Sequence, residues 1–365
     1  MRVAFIPFDD VALFPNLYNT AAQIANLGHD TVFISEGRPS SMGDAVGVKA
    51  VEWRRVELPT GVASRIPVLR GAHTSIFRHL CSAHPHVIVA EQAYVLPAML
   101  YKMLARQNVK IIGYYADYWP DAWYAKITGS LSFLLDAYVD VCDIRLQWRK
   151  KNWPGMRGDY FITRQAPHRR RSEKHEDHRG AVRIVFASSG YVLGLERERL
   201  SRFLERLCCH GMAVDWYLPG SDEVRLAAKA LTSHDLFRVL EPVEKSRLPE
   251  VLGQYDVGLH WAPMAERAYD PYYFDSTASN KIGEYIAAGL VVGHAGNPGL
   301  SYLPADVCAI FDPTDPEAGA DQLASALADR GDVERKRKAA LGYHLGEMNF
   351  EAQAEPFIRY ITQPA

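Results

Sequence analysis

Short apolar runs alternate along the chain with longer stretches in which apolar residues recur every three or four positions. That is the pattern of buried parallel strands joined by amphipathic helices. Residues 2–7 form the first run, helical spacing follows over 16–27, and Thr31-Val-Phe-Ile34 comes after Gly28-His29-Asp30. Strand, helix, glycine, strand is a βαβ opening, which requires parallel pairing and a right-handed crossover. Residues 85–90 and 109–113 read as two more strands, with a helix over 94–106 between them. Residues 131–146 read as an apolar helix.

A second series of the same kind starts later. Strands are expected at 182–187, 213–218, 236–240 and 257–260, with helices between them, the first over 195–209. Residues 166–180 separate the two series and are almost wholly polar (Ala-Pro-His-Arg-Arg-Arg-Ser-Glu-Lys-His-Glu-Asp-His-Arg-Gly). Such a break in composition marks a domain boundary. The expected organisation is an N-terminal domain over 1–165, a linker over 166–180, a C-terminal domain over 181–345 and a terminal amphipathic segment over 346–365.

The most informative stretch runs from Asp275 to Gly293. Ser279 or Asn280 can cap a helix whose apolar stripe is Ile282, Tyr285, Ile286 and Leu290. Gly289 stands where a left-handed helix end is expected, and Leu290-Val-Val292 then reads as a buried strand. Lys281 and Glu284 are three residues apart near the helix N-terminus, where free amides favour an anion. A cation and a carboxylate there suit a nucleotide, the lysine for phosphate and the carboxylate for ribose hydroxyls. The same spacing also reads as a solvated intrahelical ion pair. Ser188-Ser189-Gly190, just after the strand at 182–187, are small enough for backbone amides to approach a phosphate.

Composition narrows the classes. At 365 residues with 48% hydrophobic positions, the chain can bury two cores. A formal net charge of -2 gives no reason to expect nucleic acid. The five cysteines lack zinc-like spacing and read as reduced thiols. The opening Met-Arg-Val-Ala-Phe-Ile-Pro reads as a strand rather than a secretory leader. The expected location is cytoplasmic. Trp148, Arg149, Lys150, Lys151 and Trp153 set cations beside aromatics, which suits peripheral contact with the anionic inner face of a membrane. The run Arg169-Arg-Arg171 reads equally as a solvated linker face.

Ser279-Asn-Lys-Ile-Gly-Glu-Tyr-Ile-Ala-Ala-Gly-Leu-Val-Val292 resembles the "P-x-K-x-x-E-Y-x-A-x-G-x-P-V-V" segment of GT-B glycosyltransferases, notably the family-4-like group. The resemblance implies two Rossmann-like α/β domains facing each other across a cleft. It implies that Glu284 holds the donor ribose, that Lys281, Ser279 and Asn280 lie by the diphosphate, and that Ser188, Ser189 and Gly190 form a donor loop. Glu241 and Val243 would then lie at the nucleobase. Tyr114-Tyr-Ala-Asp-Tyr-Trp119 is similar to the family's "H-D-x-W" loop, with Ala116 in place of the histidine. That likeness puts Tyr115, Tyr118 and Trp119 at the acceptor and makes Asp117 the catalytic base, with Glu91 in reserve. The terminal segment resembles the GT-B helix that packs back across to the N-terminal domain. Val291 stands where the family has proline, and Ser276 where it has the first glutamate of a Glu-x7-Glu pair.

The implied activity is transfer of a sugar from a nucleotide-diphosphate sugar, UDP- or GDP-linked, to a hydroxyl of a glycan, glycolipid or small molecule. The sequence contains no Asp-x-Asp, so a metal-independent reaction with no cofactor beyond the donor is expected. Two alternatives stay open: a nucleotide-sugar epimerase of the same fold, and a non-catalytic nucleotide-sugar-binding partner subunit.

Overall fold

The computed structural model describes residues 1–7, 15–35, 52–56, 71–105, 108–116, 122–170, 180–188, 190–262, 264, 272, 275–276 and 279–363. The chain divides into two compact units, Met1–Gln165 with Gln353–Ala365, and Ala166–Ala352.

The first unit is a seven-stranded parallel sheet. Its strands are β1 Arg2–Ile6, β2 Asp30–Ser35, β3 Glu52–Arg55, β4 Val87–Glu91, β5 Lys110–Tyr115, β6 Ala137–Asp140 and β7 Asp159–Ile162. They lie in the order β3-β2-β1-β4-β5-β6-β7. Helices on both faces explain why Val3, Phe5, Ile88, Val89, Ile111 and Ile112 are all fully buried. In the last helix, Phe350–Thr362, the rings of Phe357 and Tyr360 pack on Phe161 of β7 at 5.7 and 5.1 Å.

Three sequence expectations change in this unit. The stretch 131–146 is not one helix: it holds a 3-10 turn at Ser132–Leu134, strand β6, and the start of the helix Asp143–Asn152. Ala137-Tyr-Val-Asp140 is an interior strand with every residue buried, so Ala137-Tyr-Val139 carries no alternation to distinguish it from a helix. The expected membrane-facing cluster is taken apart. Arg149 is buried in an ion pair with Asp140 at 2.8 Å and Trp153 is buried, while Lys150 and Lys151 are exposed. Tyr115, expected at the acceptor, is a core residue. Its ring lies 4.0 Å beneath the Arg149 guanidinium and 5.3 Å from Trp153.

The second unit is a six-stranded parallel sheet of β8 Arg183–Ala187, β9 Ala213–Tyr217, β10 Phe237–Leu240, β11 Val257–His260, β12 Val291–His294 and β13 Cys308–Ile310. The order is β10-β9-β8-β11-β12-β13. The strand order reverses between β8 and β11, and sheets of this kind bind ligands beyond the carboxyl ends of such a pair.

Candidate functional site

The helix Asn280–Ala287 stands at this reversal. Its placement follows from two local features of the sequence. A Cβ on Gly258 of β11 would lie 2.2 Å from the Tyr285 ring, so the missing side chain lets the helix sit flush on the strand. The Tyr285 hydroxyl then accepts from Ala187 N at 3.1 Å and donates to Leu259 O at 3.4 Å, tying the helix to the ends of β8 and β11. At the other end Gly289 takes φ 66°. Gly289 N bonds Ile286 O at 2.9 Å and Leu290 N bonds Tyr285 O at 2.9 Å. This is a Schellman ending, which turns the chain directly into β12.

Ser279 occupies the N-cap position, yet its side chain makes no capping bond. Lys281 is half-buried on the first turn, and burial lowers its pKa to about 8. Glu284, one turn on, is also half-buried. It accepts from Arg170 Nη2 at 2.8 Å rather than from Lys281. Ser188 is buried at the end of β8, its carbonyl accepting from Trp216 Nε1 at 3.0 Å. Gly190 begins the helix Tyr191–Cys209, and a Cβ there would lie 2.6 Å from Val224. Ser188, Gly190, Ser279, Lys281 and Glu284 therefore belong to elements that meet at the β8–β11 reversal.

Other expected site residues lie apart or outside the description. Glu241 is exposed beyond β10, 3.8 Å from Arg225, and Val243 is packed against the core of the second unit. Glu91 is buried at the carboxyl end of β4. Asp117, Tyr118, Trp119 and Ser189 lie outside the described residues, as does the side chain of Asn280.

Sequence reasoning passed over two residues and set a third, Arg170, on a solvated linker face. His260 ends β11 and His294 ends β12, paired in register on adjacent strands. His260 is buried with no partner on Nε2 among the described residues; burial, the Lys281 charge and His294 push its pKa down to about 3. Burial lowers His294 to about 4. A histidine closing each of two neighbouring strands was a readable signal. The third is Arg170, whose reach to Glu284 across 114 positions of sequence left none. Lys281 and Arg170 thus bring two cations and the Glu284 carboxylate to one helix, with the buried, neutral His260 imidazole near Lys281.

No protein-family model matches the chain, and no curated protein matches it in sequence. Solved structures resemble it over its full length. A glycosyltransferase from Rickettsia africae superposes with a TM-score of 0.73 at 12% identity, over 100% of this chain and 99% of that one. Alr3699/HepE from Anabaena, solved with UDP and glucose, gives 0.70 at 9% identity, over 99% of each chain. A candidate UDP-N-acetylglucosamine 2-epimerase from Listeria monocytogenes gives 0.66 at 11% identity, over 100% of this chain and 97% of that one. The fold is GT-B. The cluster around Lys281 and Glu284 thus sits at the strand-order reversal of the second GT-B domain. Among the described residues, no helix is long and apolar enough to cross a membrane.

Proposed function

We propose that the chain is a metal-independent glycosyltransferase that moves a hexose from a UDP- or GDP-linked donor to an acceptor hydroxyl. The observation that carries this reading is the helix Asn280–Ala287 at the strand-order reversal, with Lys281 on its first turn and Glu284 one turn later. Glu284 accepts the ribose hydroxyls. Lys281 and the uncapped amides of the first turn face the diphosphate and stabilise the negative charge that grows on it as the glycosidic bond breaks. Asp117 takes the acceptor proton, with Glu91 as the second candidate. The acceptor is a glycan, glycolipid or small molecule of cell-surface glycan synthesis. The complex of Alr3699/HepE with UDP and glucose supports a UDP donor.

Epimerisation of a nucleotide-sugar is the second reading, because the candidate epimerase from Listeria monocytogenes has the same fold over the whole chain. Incubating the protein with UDP- and GDP-sugars, with and without a mixed acceptor panel, separates the two. A transferase releases the nucleoside diphosphate in step with acceptor glycosylation. A new nucleotide-sugar formed without acceptor would replace transfer with epimerisation, and no turnover of any donor would leave the binding subunit.

A further inference from the structure

Lys281 and Glu284 stand one turn apart on the helix Asn280–Ala287, a spacing at which lysine and carboxylate ordinarily pair. They do not pair here. Arg170 donates from Nη2 to Glu284 Oε2 at 2.8 Å, and Lys281 has no ion pair among the described residues.

Arg170 is itself held firmly. Phe350 N donates to Pro167 O at 2.9 Å, His168 Nδ1 lies 2.8 Å from Glu351 Oε1, and Arg169 N donates to Glu351 Oε2 at 2.8 Å. Arg170 N then donates to His344 Nε2 at 3.3 Å, while His344 Nδ1 faces Met348 O at 2.9 Å. A carbonyl only accepts and an amide N–H only donates, so His344 is the neutral tautomer with its proton on Nδ1. Burial, the first cause, lowers its pKa and keeps it so, against the opposing charges of Glu284 and Glu351 and in concert with Arg170.

We propose that Arg170 is a positioning residue: it draws the Glu284 carboxylate away from Lys281, leaving both groups open to one nucleotide. The inference rests on the donor-site reading above. Arg170 does not fill the carboxylate. It engages Oε2 alone; Oε1 has no partner among the described residues, and an ionised carboxylate has about four acceptor positions. Ribose hydroxyls therefore still find acceptors, and the lysine keeps its charge for the diphosphate. Without Arg170 the carboxylate swings to Lys281, and ligand binding must first break that pair.

The full chain is titrated with UDP and separately with GDP by calorimetry. Arg170→Met weakens the nucleotide that the parent binds by about 10-fold or more, the scale of one hydrogen bond to a charged group. Arg170→Lys, which keeps the charge without the planar fork, loses less than Arg170→Met. In a Glu284→Gln background Arg170→Met costs about 2-fold or less, because coupled residues are not additive. Competitive amine labelling of Lys281 near pH 8 gives a readout that mere folding does not move. Arg170→Met lowers that reactivity, and adding Glu284→Gln restores it. Arg170→Gln replaces the methionine variant if that one fails to fold. Parent-like nucleotide binding in Arg170→Met, or an equal loss with and without Glu284, overturns the proposal. If the parent binds neither nucleotide, the donor-site reading falls. Unchanged Lys281 labelling in Arg170→Met then overturns the decoupling as well.

Discussion

Gly258 and Tyr285 occupy the same space: the second residue of β11 has no side chain, and the tyrosine ring fills the volume where a Cβ would lie 2.2 Å away. Because Tyr285 is one residue from Glu284 and one turn from Lys281, this contact sets the height of the whole site over the sheet.

Gly258→Ala should destabilise the second unit by about 1–3 kcal/mol, the usual cost of overpacking a tight core. It should also weaken nucleotide binding, since the helix must lift. Urea unfolding and calorimetry check both. Parent-like affinity in a destabilised variant would show that helix height is unimportant to the site.

Glu284→Ala should weaken nucleotide binding by at least about 1.5 kcal/mol, a hydrogen bond to a charged group. Lys281→Ala should hurt a nucleoside diphosphate more than the free nucleoside, because the proposed donor site sets the lysine at the phosphates. Equal binding of UDP, GDP and ADP by both variants and the parent would remove the donor site from this helix.

Nucleotide affinity should fall as pH rises. In the proposed donor site Lys281 acts as a cation; burial lowers its pKa to about 8, so the cation is lost through that pH. Calorimetric titrations between pH 7 and 9, as round settings about that value, should show the fall in the parent but not in Lys281→Met. A flat parent profile would mean that the ammonium plays no part.

Acid should weaken the second unit early. His260 and His294 are held down to about 3 and about 4 in the folded chain. An unfolded imidazole titrates near ~6.5, so below that pH the unfolded chain binds more protons than the folded one. Stability is therefore full above ~6.5 and is lost as pH falls towards the folded values. Urea midpoints at pH 7 and pH 5, chosen to straddle about 6.5, should differ, and His260→Gln should shrink the difference. An identical pH dependence in that variant would acquit His260.

Asp117→Asn should keep donor affinity and lower transfer by about 100-fold, the lower range for loss of a general base. Near-parent turnover would pass the role to Glu91 or to no protein base.

Much of the fold is legible in the sequence alone. Val87-Ile-Val-Ala90 and Leu290-Val-Val292 read as strands because a parallel sheet covered on both faces favours unbroken apolar runs. The edge strands β3 and β7 are not legible there, because Glu52-Trp-Arg-Arg55 and Asp159-Tyr-Phe-Ile162 are at most part-buried and carry no long apolar run. The helix Asn280–Ala287, its glycine ending and its cation–carboxylate pair were also visible, since caps, helical period and i to i+3 spacing are local properties.

What the pair does was decided elsewhere. Sequence spacing alone brings Lys281 to Glu284, but the tertiary structure brings Arg170 there instead. It likewise turns Tyr115 and Arg149 into the core and sets His260 against His294. A charged side chain answers to whichever opposite charge the folded chain delivers within a few ångströms, because Coulomb attraction falls off with separation in space, not with position along the sequence.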